Sequence, residues 1–229
     1  MITTLFWDID DTLLDFKRGE AISIRQTLAH IGISPTDEVV RLYSEINESL
    51  WKRLERGEVT REQILVGRFE MLFSKLGFAG DAPAAQELYF FCLGKQHDFV
   101  NGAEAVLDAL RGRYRMIAVS NGTTVIQNKR LLASGLDRYF DRIFLSQEIG
   151  AEKPSETFFD ACFAALPDIR RDEVLIIGDS LTSDMRGGET AGLHTCWFNP
   201  HGKSNTCGVR VDYEISELSA LIPLLKTLG

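Results

Sequence analysis

The stretch T4-L-F-W-D-I-D-D-T-L-L-D-F16 decides the reading of this chain. Thr4–Ile9 is an apolar run suited to a buried strand, and Asp8, Asp10 and Asp11 follow within four positions. Carboxylates crowded at the end of a buried strand repel one another and are costly to desolvate. Such crowding persists where a cation sits among the acids or where the acids do chemistry. The alternative is a solvated turn.

The rest of the chain supplies the context. Apolar, β-rich runs recur at Tyr114–Ser120, Val174–Gly178 and His194–Phe198, with weaker ones at Arg142–Ser146 and Val211–Ile215. Amphipathic helical patterns lie between most of them, at Ala103–Arg111, Thr123–Ala133, Ser155–Leu166 and Ser183–Ala191. Alternating strands and helices with near-continuous apolar strands predict an α/β fold, a Rossmann-like three-layer core around a parallel sheet.

Residues from about 16 to 100 break that rhythm and read as helices only. Asp37 is expected to cap a helix running through Leu54, Thr60-Arg-Glu-Gln63 has the form of a capping box, and Asp81 with Pro83 opens a further helix. The expectation is a core of residues 1–15 and 101–229, with an all-helical insert of residues 16–100 over the C-terminal end of the first strand. In open α/β sheets that end is where ligands bind.

Composition narrows the function classes. The chain has 229 residues, 45% of them hydrophobic, and a formal net charge of -8, so it has no basic footprint for nucleic acid or an anionic membrane surface. No apolar run spans a bilayer, and the first residues lack a secretory signal pattern, so the cytoplasm is the expected location. Cys92, Cys162, Cys196 and Cys207 form no CxxC pair, and His97, His194 and His201 show no ligand spacing, which argues against zinc or a disulfide framework.

Four polar signals fall at or after predicted strand ends: Asp8-Ile-Asp10-Asp11-Thr12, Ser120-Asn121-Gly122-Thr123, Glu152-Lys153-Pro154 and Gly178-Asp179-Ser180-Leu181-Thr182-Ser183-Asp184. Singly, each has a bland reading as a turn, a helix cap or a surface lysine. On one edge of one parallel sheet they converge into a phosphoryl-transfer site. Asp8 is placed to attack phosphorus as a carboxylate nucleophile. Asp10 projects from the same side of the strand end and serves as general acid and base. Asp8, Asp179 and the Asp10 backbone carbonyl supply the hard oxygen ligands that Mg²⁺ prefers. Ser120 and the Asn121 amide bind phosphoryl oxygens, and Lys153 adds positive charge.

In this order the four motifs resemble the haloacid dehalogenase superfamily from Leu5 to about Trp197. The insert after the first motif looks like the helical cap of its C1 class. The dehalogenase branch lacks an acid two residues after the nucleophile, so Asp10 implies a phosphatase, and the resemblance places Asp184 behind the metal ligands. Asp11 stands where many members carry glycine.

A finer likeness lies in Leu50-Trp51, Gly57, Gly67-Arg68-Phe69-Glu70, Gly187-Gly188, Ala191-Gly192-Leu193 and Thr195-Cys196-Trp197-Phe198-Asn199. These are similar to bacterial house-cleaning pyrimidine 5′-nucleotidases. That likeness implies a Mg²⁺-dependent phosphomonoesterase acting on UMP, dUMP, dTMP and analogues. Trp51 and Phe69 would offer stacking faces and Arg68 or Asn199 polar contacts to base or sugar, against the bland reading that cap aromatics are core. The expected partner is a small phosphate monoester, not a nucleic acid polymer or a membrane, and the expected state a monomer or weak homo-oligomer. Rival readings are a phosphoglycolate or sugar-phosphate phosphatase, a phosphomutase, and a phosphoaspartate receiver or binding module.

Overall fold

The computed structural model describes residues 1–228. The chain opens with strand β1 (Thr4–Trp7) and continues through helices α1 (Phe16–His30), α2 (Asp37–Glu55), α3 (Arg61–Leu76) and α4 (Ala82–Leu93). Then come α5 (Ala103–Leu110), β2 (Arg115–Ser120), α6 (Thr124–Ser134), β3 (Arg142–Leu145), α7 (Ser146–Ile149) and α8 (Glu156–Ala164). The last stretch holds β4 (Val174–Gly178), α9 (Arg186–Thr190), β5 (His194–Phe198), β6 (Tyr213–Ile215) and α10 (Leu221–Thr227).

Among the described residues, six strands form one parallel sheet in the order β3-β2-β1-β4-β5-β6. β1 is buried along its whole length, as its uninterrupted apolar sequence requires of a central strand covered on both faces. Its side chains alternate between two cores. Leu5 and Trp7 join Val106, Leu107, Leu131 and Leu221 on one face, while Phe6 joins Ile117, Ile176, Phe158 and Phe159 on the other. Each fully buried side chain of this size stabilises the fold by about 1.5–3 kcal/mol.

Register aligns the strand ends. Trp7 stands beside Ala118 on one side and Ile177 on the other. Asp8 after β1, Ser120 at the end of β2 and Asp179 after β4 therefore gather at one edge of the sheet. The strand order reverses between β1 and β4, the crevice where such sheets bind ligands.

Several boundaries differ from the sequence expectation. β1 ends at Trp7, not Ile9, because Asp11 N–H and Leu13 N–H turn back to Leu14 O and Ile9 O. The helix expected over Ser183–Ala191 starts at Arg186, after one π-type turn at Leu181–Met185. That turn is held open by the Ser180 hydroxyl, which accepts from Ser183 N–H at 3.2 Å.

The chain divides into two compact units, one of Met1–Asp15 with Asp98 onward and one of Phe16–His97. The returning segment pairs with the first unit early: Asp15 N–H donates to Asp98 O and Val100 N–H to Leu13 O, both at 2.9 Å. This places the re-entry at residue 98, where 101 was expected.

The second unit is the four helices α1–α4. Tyr43, Phe69 and Tyr89 form its aromatic centre, with centroid separations of 5.4 to 5.9 Å. Thr36, not Asp37, caps α2, accepting from Val39 N–H. Thr60 and Gln63 make the reciprocal capping box of α3, and Asp81 caps α4. Among the described residues, no helix is long and apolar enough to cross a membrane.

Gly188 lets α9 press directly on the sheet, since a Cβ there would lie 2.5 Å from Ile176 Cγ2 and 2.8 Å from Thr195 Cγ2. Gly188→Ala is expected to cost about 1–3 kcal/mol by overpacking, measured by urea denaturation. A variant as stable as the parent would contradict this packing.

Candidate active site

Asp8 directly follows β1, and its N–H donates to Ile177 O at 2.9 Å, which fixes the backbone against β4. Its Oδ1 accepts from Lys153 Nζ at 2.8 Å and its Oδ2 from Thr12 Oγ1 at 3.1 Å. Lys153 Nζ also donates to Asp184 Oδ1 at 2.7 Å and to Val119 O at 2.8 Å, so its three N–H bonds are all used. This lysine is 1% exposed. The surface lysine that a Glu-Lys-Pro sequence suggests is in fact the buried cation of the site.

Burial dominates the electrostatics. Desolvation, then repulsion from Asp184, push the Asp8 carboxyl up to about 7 against the attraction of Lys153. Burial works against the charge of Lys153, but Asp184 and Asp8 outweigh it and hold the ammonium well above its ordinary range. One ammonium thus faces two buried acids.

Asp179 completes the cluster. Carboxylate oxygens of Asp8, Asp179 and Asp184 all lie within 4.8 Å of one another. Asp184, expected behind the metal ligands, lies inside this group, with Oδ2 accepting from Ser180 N–H at 3.1 Å. Gly178 makes room for it, because a Cβ there would sit 2.3 Å from Asp184 Oδ2. The Asp179 carbonyl accepts from the Trp197 indole at 2.9 Å, which anchors the loop to β5. Three clustered, all-oxygen acidic donors with an incompletely balanced charge fit a hard divalent cation such as Mg²⁺.

Ser120 ends β2. Its Oγ accepts from Gly122 N–H at 3.0 Å and from Gln127 Nε2 at 2.7 Å, so its own hydrogen is left to donate to a ligand oxygen. The Asn121 side chain ties this turn to the Lys153 segment. Its carboxamide clamps the Lys153 backbone from both sides, donating to Lys153 O and accepting from Lys153 N–H, each at 2.9 Å.

Asp10 is held by two residues that sequence reading missed. Arg130 Nη1 pairs with Asp10 Oδ1, and Gln127 Nε2 donates to Asp10 Oδ2 at 2.8 Å. Their signal was thin: two polar residues three apart on α6, next to the core positions Ile126 and Leu131. Asp11, where the motif often has glycine, has φ of +60°, a left-handed conformation that aspartate tolerates better than most residues.

The residues expected to meet a base fare differently. Arg68 is 2% exposed, with Nε and Nη2 donating to Gln86 Oε1, Nη1 donating to Asn47 Oδ1, and its guanidinium 4.6 Å from the Tyr89 centroid. It pins the interior of the helical unit, and Phe69 is core beside it. Asn199 is buried in the sheet unit, bonding Glu214 and both backbone groups of Lys203, so it holds a loop. Trp51 is half-buried, donates its indole N–H to Asn47 Oδ1 at 3.1 Å, and lies under the Arg61 guanidinium.

This parallel sheet, with its acids and lysine gathered at one edge, is that of the haloacid dehalogenase-like hydrolases. The pattern of that family matches residues 2–192, and the chain belongs to it. It is similar to the HAD-hydrolase YfnB of Bacillus subtilis, 36% identical over 223 residues covering 97% of this chain and 95% of that one. A crystal structure of YfnB bound to magnesium superposes with a TM-score of 0.93 over 98% of each chain. The pyrimidine 5′-nucleotidases PynA of Streptococcus pneumoniae and YjjG of Escherichia coli are 35% and 30% identical, each match covering 96% of this chain and 94% and 96% of theirs.

The raised Asp8 pKa carries a stability cost. In the unfolded chain Asp8 ionises near 3.8, in the fold near 7. Between these values the fold keeps a proton that the unfolded chain has lost, so stability falls as pH rises toward 7 and stays lowered above it. Asp8→Asn is therefore expected to raise Tm in chelator at about pH 8, and to raise it less at about pH 5. Equal shifts at both pH values, or a loss at pH 8, would contradict the assignment.

Proposed function

We propose that this phosphoric monoester hydrolase releases phosphate from nucleoside 5′-monophosphates, preferring the pyrimidine nucleotides UMP, dUMP and dTMP. The observation that carries the phosphoryl-transfer reading is the buried Lys153 ammonium shared by Asp8 and Asp184 beside Ser120. The nucleotide preference is supported by the end-to-end similarity to PynA and YjjG.

In this mechanism the Asp8 carboxylate attacks phosphorus as the ester P–O bond breaks, and Asp10 gives its proton to the departing oxygen. Asp10 then takes a proton from a water that attacks the aspartyl-phosphate, which frees phosphate and restores the Asp8 carboxylate. Ser120 donates to a phosphoryl oxygen. Lys153, its hydrogens already engaged, acts as a fixed charge that offsets the anionic transition state. Asp8, Asp179 and the Asp10 carbonyl would hold Mg²⁺, with Asp184 beside them. When bound, the ion supplies positive charge to the phosphoryl oxygens. Among the candidate base contacts, Trp51 keeps part of its ring outside the interior of its helical unit and is retained for stacking.

A substrate panel tests the specificity. UMP or dTMP is expected to show the highest kcat/KM among nucleoside monophosphates, phosphoglycolate and hexose phosphates, assayed by released phosphate. A sugar phosphate or phosphoglycolate leading by a wide margin would overturn the nucleotidase reading. Asp8→Ala is expected to lose at least ~10³-fold in kcat while remaining folded by circular dichroism. Parental activity in that variant would refute the nucleophile.

A further inference from the structure

We propose that Arg130 and Gln127 are positioning residues for the general acid Asp10, and that Gln127 locks this acid in register with the phosphoryl-binding hydroxyl of Ser120. The inference rests on the phosphomonoesterase reading of the same site and deepens it.

The geometry is a closed ring of side chains. Arg130 Nη1 donates to Asp10 Oδ1 and, at 2.9 Å, to Gln127 Oε1. Gln127 Nε2 spends one hydrogen on Asp10 Oδ2 at 2.8 Å and the other on Ser120 Oγ at 2.7 Å. Both carboxylate oxygens of Asp10 are thereby engaged, each by a different residue of α6, which removes rotation about the Cβ–Cγ bond. The same amide fixes the acceptor side of Ser120 and so aims its hydrogen. Space enforces the arrangement: a Cβ on Gly122 would fall 2.5 Å from Gln127 Nε2.

Fold stability alone does not call for this ring. Arg130 is 1% exposed on its side chain, and taking a guanidinium out of water costs several kcal/mol before its partner repays it. Beside Ile126 and Leu131 an apolar side chain would fill that place more cheaply. What the arginine adds is a fixed orientation of the carboxyl group that, when protonated, delivers its proton to the leaving oxygen. Proton delivery of this kind is sensitive to sub-ångström placement.

The leaving group separates positioning from mere structure. Uridine leaves UMP as an alcohol and needs the proton, whereas p-nitrophenyl phosphate loses a stable phenolate that does not. For each ester kcat/KM reports the steps up to departure of the leaving group. In Arg130→Met, kcat/KM for UMP is expected to fall ~10–100-fold with KM little changed, while p-nitrophenyl phosphate stays within about threefold. Arg130→Lys is expected to recover part of the UMP rate. Should Arg130→Met fail to fold by circular dichroism, Gln127→Met removes the bonds to Asp10 Oδ2 and Ser120 Oγ while leaving the Arg130–Asp10 pair. There both esters lose what the Ser120 bond contributes, and UMP is expected to lose about tenfold more than p-nitrophenyl phosphate. Equal losses on both esters, or a UMP rate like the parent's in folded variants, would overturn the proposal. A parent enzyme that turns over neither ester would instead refute the phosphomonoesterase reading, and the proposal with it.

Discussion

The whole site depends on one ammonium. Lys153 Nζ lies 2.8 Å from Asp8 and 2.7 Å from Asp184, in a place nearly closed to water. Two buried carboxylates at this spacing would otherwise repel strongly enough to take up a proton or pull apart. The lysine is held by the Asn121 carboxamide at its backbone and by the Val119 carbonyl at its head. Four segments distant in sequence thus meet at a single charge. The compensation is incomplete, as the raised pKa of Asp8 and the proximity of Asp179 indicate. That residual negative potential is what a divalent cation and then a phosphoryl group are suited to meet.

The fold makes this meeting unavoidable. Parallel strands in register end at one edge, and β1 lies between β2 and β4, so Asp8 is flanked by Ser120 and Asp179. Glycines at 178 and 188 remove the side chains that would keep Asp184 and α9 away. The active edge is therefore stabilised by the two apolar cores beneath it, and strained by the acids on top. A stable core beneath a destabilised active site is a common trade between stability and function.

Much of this was legible in the sequence because the signals were periodic or positional. Strands β4 and β5 were readable end to end, since a strand buried on both faces must be apolar throughout. Asp8, Asp179 and Ser120 were readable because they end or directly follow such strands. Lys153 was readable only through its order among the motifs, as its burial depends on partners from three other segments. Arg130 and Gln127 were not readable, because on a helix such residues look solvated until the partner at position 10 is known. The same holds for Arg68, whose surface-like character hides a core position satisfied by Gln86 and Asn47 from neighbouring helices. Long-range charge compensation leaves almost no local trace.

The most direct test is the coupling between cation binding and the proton on Asp8. Mg²⁺ can be titrated calorimetrically into the protein at about pH 6, in two buffers of different ionisation enthalpy. If Asp8 is the acid that the ion must discharge, binding releases a substantial fraction of a proton at that pH, little at about pH 8.5, and none in Asp8→Asn. Mg²⁺ binding without proton release at the lower pH, or with the same release in the variant, would show that the charge balance does not centre on Asp8.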